Sequence, residues 1–534
     1  MQIVTSTDPH WNIGVGGWWD ALGIGLALLS LGLLAGCEVG PNYGTPQQHM
    51  PAHWVSPPTT QASITVQEKV DVAKWWTTFN DPELDSLIHR ALGENLDIQL
   101  ATQRIRQSRA ALGASTSGLF PLIGANGSYN HSFNGRSGSA FTNSSGQVIT
   151  TSGQTSYFWQ AGFDSTWELD FFGGTRRGIE AARATYEASV EDRRDVMVTL
   201  LGEVATTYMQ LRGYQQQIAI AEENLAGQQK SLEVTRNKQL YGAGKGLDIA
   251  NAEAQVATTR SQIPAYESLE QQQIYALGVL LGQEPATLLV ELSPEGKIPI
   301  SPPVVPVGLP SDLLRRRPDI RRAERQLAAA TASVGVATAQ LFPQFSLDGS
   351  LSTGGSRFGN LGNWGTRIWS FGPAFNWPIF DAGAIWNNIE VTNALQAQAL
   401  ITYRQAVLNA LLDVENSLTA YAQEQQRRQS LADAVAAYQR AVSLASQNFQ
   451  NGFSDFLTLF VAQQSLYGAQ SSLVASNQAV ATDLVAIYKA LGGGWEESDP
   501  ATTQPSDPAA KPPFAAERLT IPATQPAAPT TQPS

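Results

Sequence analysis

Tyr157-Phe158-Trp159-Gln160-Ala161-Gly162-Phe163-Asp164-Ser165-Thr166-Trp167-Glu168-Leu169 decides the fold class. Its odd positions are mostly aromatic or apolar (Tyr157, Trp159, Ala161, Phe163, Trp167, Leu169), while Gln160, Asp164, Thr166 and Glu168 stand between them. Successive side chains of a strand point to opposite faces, so this period of two describes a strand with one apolar and one polar face. A second copy sets Trp369, Phe371, Phe375, Trp377 and Ile379 against Ser370, Gly372, Ala374 and Asn376. Weaker alternation marks Ile123, Ala125, Tyr129 and Phe133, and Phe345, Leu347 and Leu351. Segments of about ten residues with this pattern and aromatic ends are the signature of transmembrane barrel strands. The alternation alone suits a half-buried soluble sheet equally well. Four strands cannot close a barrel, because closed barrels begin at about eight, so a barrel made from these strands is shared between subunits. Connecting stretches such as Gly135 to Gly153, rich in Gly, Ser, Asn and Thr, suit its outer face.

Downstream of each strand pair the period changes to seven. Met197, Val204, Leu211, Ile218, Leu225 and Leu232 recur at strict sevens, as do Val407, Val414, Tyr421, Val435, Val442 and Phe449, with Arg428 interrupting. Sustained heptads mean left-handed coiled-coil packing. No proline falls between Pro121 and Pro264 or between Pro378 and Pro500, which permits very long helices. A helix over 175–240 would reach about 100 Å at 1.5 Å per residue. Each ends in a Gly-rich break, Tyr241-Gly242-Ala243-Gly244 or Asn451-Gly452-Phe453-Ser454, before a further helical stretch, 247–282 or 455–491. Each pair reads as an antiparallel hairpin, with Pro264 expected to kink its helix. The halves are copies: Ile179-Glu180 recurs as Ile389-Glu390, Val204 as Val414, Gly242 as Gly452 and Leu281-Gly282 as Leu491-Gly492, all 210 residues apart. Leu119-Phe120-Pro121 recurs as Leu341-Phe342-Pro343 at a slightly larger spacing, as a loop of different length would cause. So long a period is a duplicated domain and not a solenoid repeat.

Charged residues make up only 15% of the chain and the net charge is −12, which excludes a nucleic-acid partner needing a broad basic face. The one cysteine, Cys37, rules out an intrachain disulfide and a Cys-based zinc site. The apolar run Ala21–Gly36 is shorter than the roughly 20 residues that cross a bilayer and reads as a signal-peptide core. Its end, Leu34-Ala35-Gly36-Cys37, resembles the lipobox of bacterial lipoproteins, which implies cleavage before Cys37 and a covalent lipid, palmitate included, on that residue. Glu38 in place of Asp then implies transfer to the outer membrane. Met1–Asp20 departs from the pattern in having no Lys or Arg. No other segment is long and apolar enough for a transmembrane helix, so spanning falls to strands. The tail 496–534, dominated by Pro, Ala, Thr and Gln, cannot build a core and is expected to be disordered.

Several fragments together resemble the TolC-like outer-membrane efflux lipoproteins of the NodT branch. They are Cys37-Glu38-Val39-Gly40-Pro41-Asn42-Tyr43, Trp75-Trp76 with Phe79 and Asp81-Pro82, Trp167-Glu168-Leu169-Asp170, Arg315-Arg316-Arg317-Pro318-Asp319-Ile320-Arg321 and Leu341-Phe342-Pro343. The resemblance covers roughly residues 37–494. It implies a mixed α and β membrane protein: a homotrimeric duct with a twelve-stranded β-barrel, four strands per chain, above a long coiled-coil α-helical barrel girdled by a mixed equatorial belt. The division is then signal peptide 1–36, lipidated segment 37–81, first repeat 82–290, linker 291–317, second repeat 318–495 and tail 496–534. Implied partners are outer-membrane lipid, a periplasmic adaptor and an inner-membrane transporter, RND type, and the implied role is the passive exit duct of a tripartite efflux pump. A type I secretion duct would share this architecture. A lipid-anchored coiled-coil scaffold without a pore is the reading from another class, and the period-two segments speak against it.

The hairpin turns, with Gly242, Gly244, Gly452 and Ser454, would form the tunnel tip. Asp248 and Asp455 follow them, so three copies would set carboxylate rings at a narrow mouth, favouring cations and holding it shut. Asp455 matches the family's pattern in Gly452-Phe453-Ser454-Asp455-Phe456-Leu457-Thr458-Leu459; Asp248 rests on the internal repeat. Both also suit helix N-termini. No catalytic constellation stands out. Gly242-Ala243-Gly244-Lys245-Gly246 lacks Walker spacing. His10, His49, His53, His89 and His131 lack zinc-ligand spacing, and no Gly-x-Ser-x-Gly elbow occurs. Glu168 and Asp170, two apart on an expected strand, could mimic an acid/base pair but suit pore-mouth solvation better. Arg315–Arg325 carries Asp319 and Glu324, which makes pairing on a helix surface a better account than a nucleic-acid patch.

Overall fold

The computed structural model describes residues 38–55, 72–135, 141–142, 144–145, 148–149, 154–242, 244–299 and 310–496. The expected signal peptide, Cys37, part of the linker and all of the tail beyond Glu496 lie outside the described residues. The main elements in chain order are α1 (Pro82–Glu94), α2 (Leu96–Ser117), β1 (Leu122–Asn134), β2 (Gln154–Leu169), α3 (Gly174–Leu240) and α4 (Gly246–Leu280). There follow α5 (Pro318–Ala339), β3 (Gln344–Gly355), β4 (Arg367–Asn376), α6 (Ala384–Gln450) and α7 (Phe456–Ala490).

The duplication is visible in lengths. α2 and α5 have 22 residues each, α3 and α6 have 67, and α4 and α7 have 35. Counterparts stand 222 apart before the strands (Leu96, Pro318) and 210 apart after them (Gly174, Ala384), so the length difference lies in the strand segment. Pro264 sits inside α4, which stays one continuous helix.

The long helices form the frame. α3 packs against α2, α4, α5 and α7, and α6 against α5 and α7. α5 and α7 therefore meet end to end between α3 and α6, as α2 and α4 do beside α3. Both meeting points use one device at equivalent positions: the residue before the upper helix reaches the last carbonyls of the lower one. Asn95 Nδ2 donates to Leu280 O at 2.8 Å, and Arg317 Nη1 to Ala490 O at 2.9 Å. These bonds satisfy carbonyls that a helix end leaves without an intrahelical partner.

Around the middle of α3 lies the main core. Trp75 and Trp76 are fully buried with Phe79, Leu84, Leu87 and Ile88 against Met197, Leu201 and Tyr208 of α3 and Leu484, Val485 and Tyr488 of α7. Trp75 stacks on Tyr488 at 5.2 Å. Asp81 caps α1 through the amides of Glu83 and Leu84 and accepts from Tyr208 Oη at 2.9 Å, which ties the belt to the frame. A second, separate apolar cluster sits near the hairpin turns: Leu232, Ala252, Val256, Ala445, Phe449, Phe456 and Leu459.

The sheet has four antiparallel strands in the order β1-β2-β3-β4, and among the described residues its edges β1 and β4 have no further strand partner. Replacing Trp75 with Ala is expected to cost about 3–5 kcal/mol through the cavity left in the belt, read as a lowered midpoint of chemical denaturation in detergent. Phe371→Ala, at a side chain 71% exposed in the sheet, is expected to leave that midpoint nearly unchanged.

Candidate functional site

Register sorts the sheet's residues by face. Residues directly opposite share a face, so Tyr129↔Trp159, Ala125↔Phe163, Phe163↔Leu351, Leu351↔Trp369, Gly349↔Phe371 and Phe345↔Phe375 place one aromatic and aliphatic surface across all four strands. Phe133, Phe163, Trp369, Phe371 and Phe375 are each exposed by 60% or more on it. The other face carries Asn126, Ser128, Ser132, Gln160, Asp164, Glu168, Asp348, Ser350 and Ser370, since Asn126, Ser128 and Ser132 lie opposite Gly162, Gln160 and Ser156. Its polar groups bond across strands: Asn126 Nδ2 donates to Asp164 Oδ1 at 2.7 Å, and the Ser132–Ser156 and Ser350–Ser370 hydroxyls meet at 2.8 and 2.9 Å. An apolar exterior with a self-bonded polar interior is what a barrel wall in lipid requires. Among the described residues no helix is long and apolar enough to cross a membrane.

Sheet and helices are joined twice in the same way. Trp167 Nε1 donates to Leu119 O at 2.9 Å, and its counterpart Trp377 Nε1 to Leu341 O at 3.0 Å, so each Leu-Phe-Pro motif supplies a carbonyl that fixes the returning strand. Asp170 accepts from the amides of Thr175 and Arg176, and Asp381 from those of Gly383 and Ile385, so a carboxylate caps each long helix. This corrects the expectation that Glu168 and Asp170 share a strand face. β2 ends at Leu169, and capping turns Asp170 out of the strand.

The segment after Cys37 is stapled to this junction. Val39 N donates to Phe172 O at 3.2 Å. The buried Arg177 guanidinium donates to Val39 O, to Asn42 Oδ1 and to Glu180. Gly40, at φ +90, faces Gly335 so closely that a Cβ on it would lie 2.5 Å from Gly335 Cα, which is why this motif needs glycine. Farther along, Tyr43 Oη bonds Glu324 at 3.0 Å and Val55 N bonds Glu415 at 2.8 Å, so the segment runs down the helices.

The arginine run pairs with carboxylates, mostly across elements. Arg321 meets Glu191, Arg322 meets Asp192 and Asp195, and Arg325 meets Glu187 on α3, besides its neighbour Glu324. Arg317 forks onto Asp319 and reaches Asp413. It borders a recess of about 520 Å³ at the α5–α7 meeting point, with Asp195, Ser417, Asp483 and Lys489. Asp483, Ala486 and Lys489 lie on the side of α7 away from Leu484, Tyr488 and the belt core, at helical positions opposite them. Burial, reinforced by Glu424, pushes the Asp483 carboxyl up to about 6. Sequence reasoning missed Asp483, because a lone Asp inside an apolar helix carries no motif.

At the turns, Gly242 (φ +76) and Gly452 (φ +79) take the left-handed conformation that closes a helix C-terminus, with Phe453 N bonded back to Asn448 O at 2.8 Å. Gly244 passes so near the backbone of Gln239 that a Cβ would come within 2.8 Å of its nitrogen. The Ser454 hydroxyl is buried without a partner. Asp455 is the N-cap of α7 and accepts from Thr458 N at 3.1 Å and Thr458 Oγ1 at 2.7 Å. Those two bonds, with the Lys245 charge, hold its carboxyl below the usual range. Asp248 stands in the first turn of α4, whose N-cap is Lys245. At the 210 spacing Asp455 therefore matches Lys245 and Asp248 matches Thr458, which corrects the expectation that the repeat relates the two carboxylates. Each hairpin puts its acid at a different corner of the same cap. Between this tip and the belt core the helices are held by polar contacts: Gln217 to Ser471 O (2.9 Å), Asn224 to Gln470 (2.8 Å) and Gln463 to Ser231 (2.9 Å). Among the described residues no group of three or more His, Cys, Asp or Glu could hold a metal.

The raised Asp483 carboxyl gives a signed prediction. The folded chain keeps this proton to about pH 6, whereas an unfolded Asp releases it near pH 4. Stability therefore falls as pH rises through that window and the penalty persists above it. Asp483→Asn is expected to raise the thermal midpoint at pH 7.5 and leave it unchanged near pH 3.5; an equal rise at both would refute the assignment.

The profile of the family described as "Outer membrane efflux protein" matches residues 87–283 and 309–493. The chain is 31% identical over 468 residues to nodulation protein T of Rhizobium leguminosarum bv. trifolii, covering 87% of this chain and 96% of that one. It is 34% identical over 434 residues to the pyoverdine export outer membrane protein OpmQ of Pseudomonas aeruginosa, covering 80% and 88%. With the toluene efflux pump outer membrane protein TtgC of Pseudomonas putida the figures are 32% over 483 residues, 88% and 96%. Among solved structures, the outer-membrane channel OprN superposes with a TM-score of 0.78 at 34% identity, covering 86% of this chain and all of that one, and CusC with 0.73 at 28%, covering 86% and all. With its apolar-faced sheet, paired long hairpins and internal duplication, the chain belongs to the outer membrane efflux protein family, as a NodT-like channel component of the outer membrane.

Proposed function

We propose that three copies of this chain form one passive exit duct. In this reading the three sheets close into a twelve-stranded barrel, and the hairpins close below it into a periplasmic tunnel. Cargo arrives from an inner-membrane transporter of the RND type through a periplasmic adaptor at the tip, and the transporter supplies the energy. The observation that carries the reading is the sheet whose two edges, β1 and β4, have no further strand partner among the described residues and whose apolar face is bare in a single chain. The apolar face suits lipid and not water, and the unpaired edges are tolerable in lipid only once further strands complete the cylinder. The helical layer supports the same closure, since α6 flanks it on one side and bears exposed Val391, Leu395, Ile401, Leu408 and Leu412. Relatives named for toluene efflux and pyoverdine export favour small molecules as cargo.

Cys37 in this reading carries a covalent lipid. Its neighbour Glu38 lies against Gly173, where strand passes to helix and where Phe172 stacks on Phe342 at 4.6 Å, the level at which an acyl chain could enter the inner leaflet. Gly242, Gly244, Gly452, Ser454, Asp248 and Asp455 are assigned to the gate. Opening proceeds by exchange of the polar contacts between belt and tip, which can be remade after a shift where an apolar seam would have to break.

Two measurements test this. In planar bilayers, Asp248→Asn with Asp455→Asn is expected to lower the cation-to-anion permeability ratio by about twofold or more, as for charged rings in pores; an unchanged ratio and conductance would remove both residues from the gate. Cys37→Ser is expected to abolish the acyl mass on the N-terminal peptide while the barrel still inserts, because strands and not the lipid do the spanning; acylation persisting in the variant would refute the site.

A further inference from the structure

The sheet's charges are segregated along its axis. In Leu122–Phe163 and Gly349–Asn376 the only charged residues are Arg136, Arg357 and Arg367, although the chain carries a net −12. The acids Asp164, Glu168 and Asp348 all lie on the polar face near the helical end, as their register with Gly124, Ser346 and Gly372 requires. Of the three arginines, Arg357 and Arg367 lie among the described residues, so the described end remote from the helices carries two guanidiniums and no acid. By sequence Arg136 belongs to the β1–β2 connection and Arg357 to the β3–β4 connection.

Arg367 is placed for contact with the membrane. It lies opposite Thr353, one step outward from the Leu351↔Trp369 pair, and so shares the lipid-facing surface. Its guanidinium sits 4.6 Å from the Trp364 ring centre and donates to Trp364 O at 2.8 Å, which fixes it at the rim while leaving further N–H groups outward. It pairs with no carboxylate among the described residues. Trp364 is 76% exposed. On the same surface Phe358 packs edge-on against Trp159 at 5.1 Å, beside Tyr129, forming an aromatic rim of the kind that marks a headgroup boundary. Below the arginine the surface is hollow. A recess of about 440 Å³ is bordered by Ala125, Ala161, Phe163, Leu351, Trp364 and Arg367, with alanines at two positions where neighbours on this face carry rings.

We propose that this rim binds a bisphosphorylated acyl lipid of the outer leaflet, its phosphate on Arg367 and one acyl chain in the recess beneath. Charge complementarity selects the occupant: two described guanidiniums per chain, Arg357 and Arg367, with no acid beside them suit a headgroup with more than one phosphate, and Arg forks onto phosphate oxygens in a way that Lys does not. The proposal rests on the channel reading, which makes the apolar face lipid-facing and sets the end remote from the helices in the outer leaflet.

The test uses the full-length assembly in detergent, titrated with hexa-acylated bisphosphorylated lipid A and followed by native mass spectrometry. Lipid A is expected to bind about tenfold more tightly than its dephosphorylated form, a tenfold change matching the worth of one charge-assisted hydrogen bond. Arg367→Ser is expected to lose that preference and Arg367→Lys to restore part of it. Equal affinity for the dephosphorylated lipid, phosphatidylglycerol binding as tightly as lipid A, or no effect of Arg367→Ser would each overturn the site. A chain that never reaches the outer membrane would instead overturn the channel reading, so the two failures are distinguishable.

Discussion

The unpaired edges of a four-stranded sheet are the constraint on which the rest of this structure turns. Within hydrocarbon every backbone N–H and C=O must find a partner inside the protein, and a strand edge offers a whole row of them. Four strands are too few to bend round and meet, so the partners come from other chains. The bare aromatic face, the polar face that bonds to itself and the exposed flank of α6 all follow from a fold that is one sector of a closed wall. Alone, the chain exposes Trp369, Phe371 and Phe375 to a degree no soluble protein of this composition would need.

Duplication builds that sector economically, and the two copies solve the same problems with the same or substituted chemistry. Trp167 and Trp377 find equivalent carbonyls, and Asp170 and Asp381 cap equivalent helices although they sit one residue out of step. At the helix meeting points the substitution matters more. Asn95 fills its junction with a small neutral amide, whereas Arg317 brings a charge that draws in Asp319 and Asp413 and borders the recess holding Asp483. Copies that began alike thus diverged at the helix meeting points, and at the tip, where Lys245 holds the position equivalent to Asp455.

Much of this was legible beforehand, for physical reasons. Periods of two and seven report directly on which face is buried, so strands, long helices and hairpins could be read from Tyr157–Leu169 and the heptads alone. The duplication was visible because glycines at helix ends cannot drift: Gly242 and Gly452 need a left-handed backbone. What escaped was whatever depends on a cap or a distant partner. Asp170 looks like a strand residue until its bonds to Thr175 and Arg176 are seen. Asp248 looks like the counterpart of Asp455 until the caps are aligned. Trp75 and Trp76 were recognised by resemblance, but nothing local says that they bury against Tyr488, more than four hundred residues away in sequence. Asp483 and Arg367 acquire meaning only from the recesses they border.

The central claim is that β4 of one chain pairs with β1 of the next. Within one sheet these strands are three steps apart, about 14 Å at the usual spacing between strands, far beyond the roughly 4 Å between Cβ atoms that a disulfide spans. Chains carrying Ser128→Cys on β1 with, in turn, Ser370→Cys, Gly372→Cys or Ala374→Cys on the polar face of β4 should therefore cross-link only between copies. Oxidation of outer-membrane preparations is predicted to give covalent dimers and trimers on denaturing gels for at least one of these pairs. Only monomer for every pair, with the thiols shown to be accessible, would contradict the account.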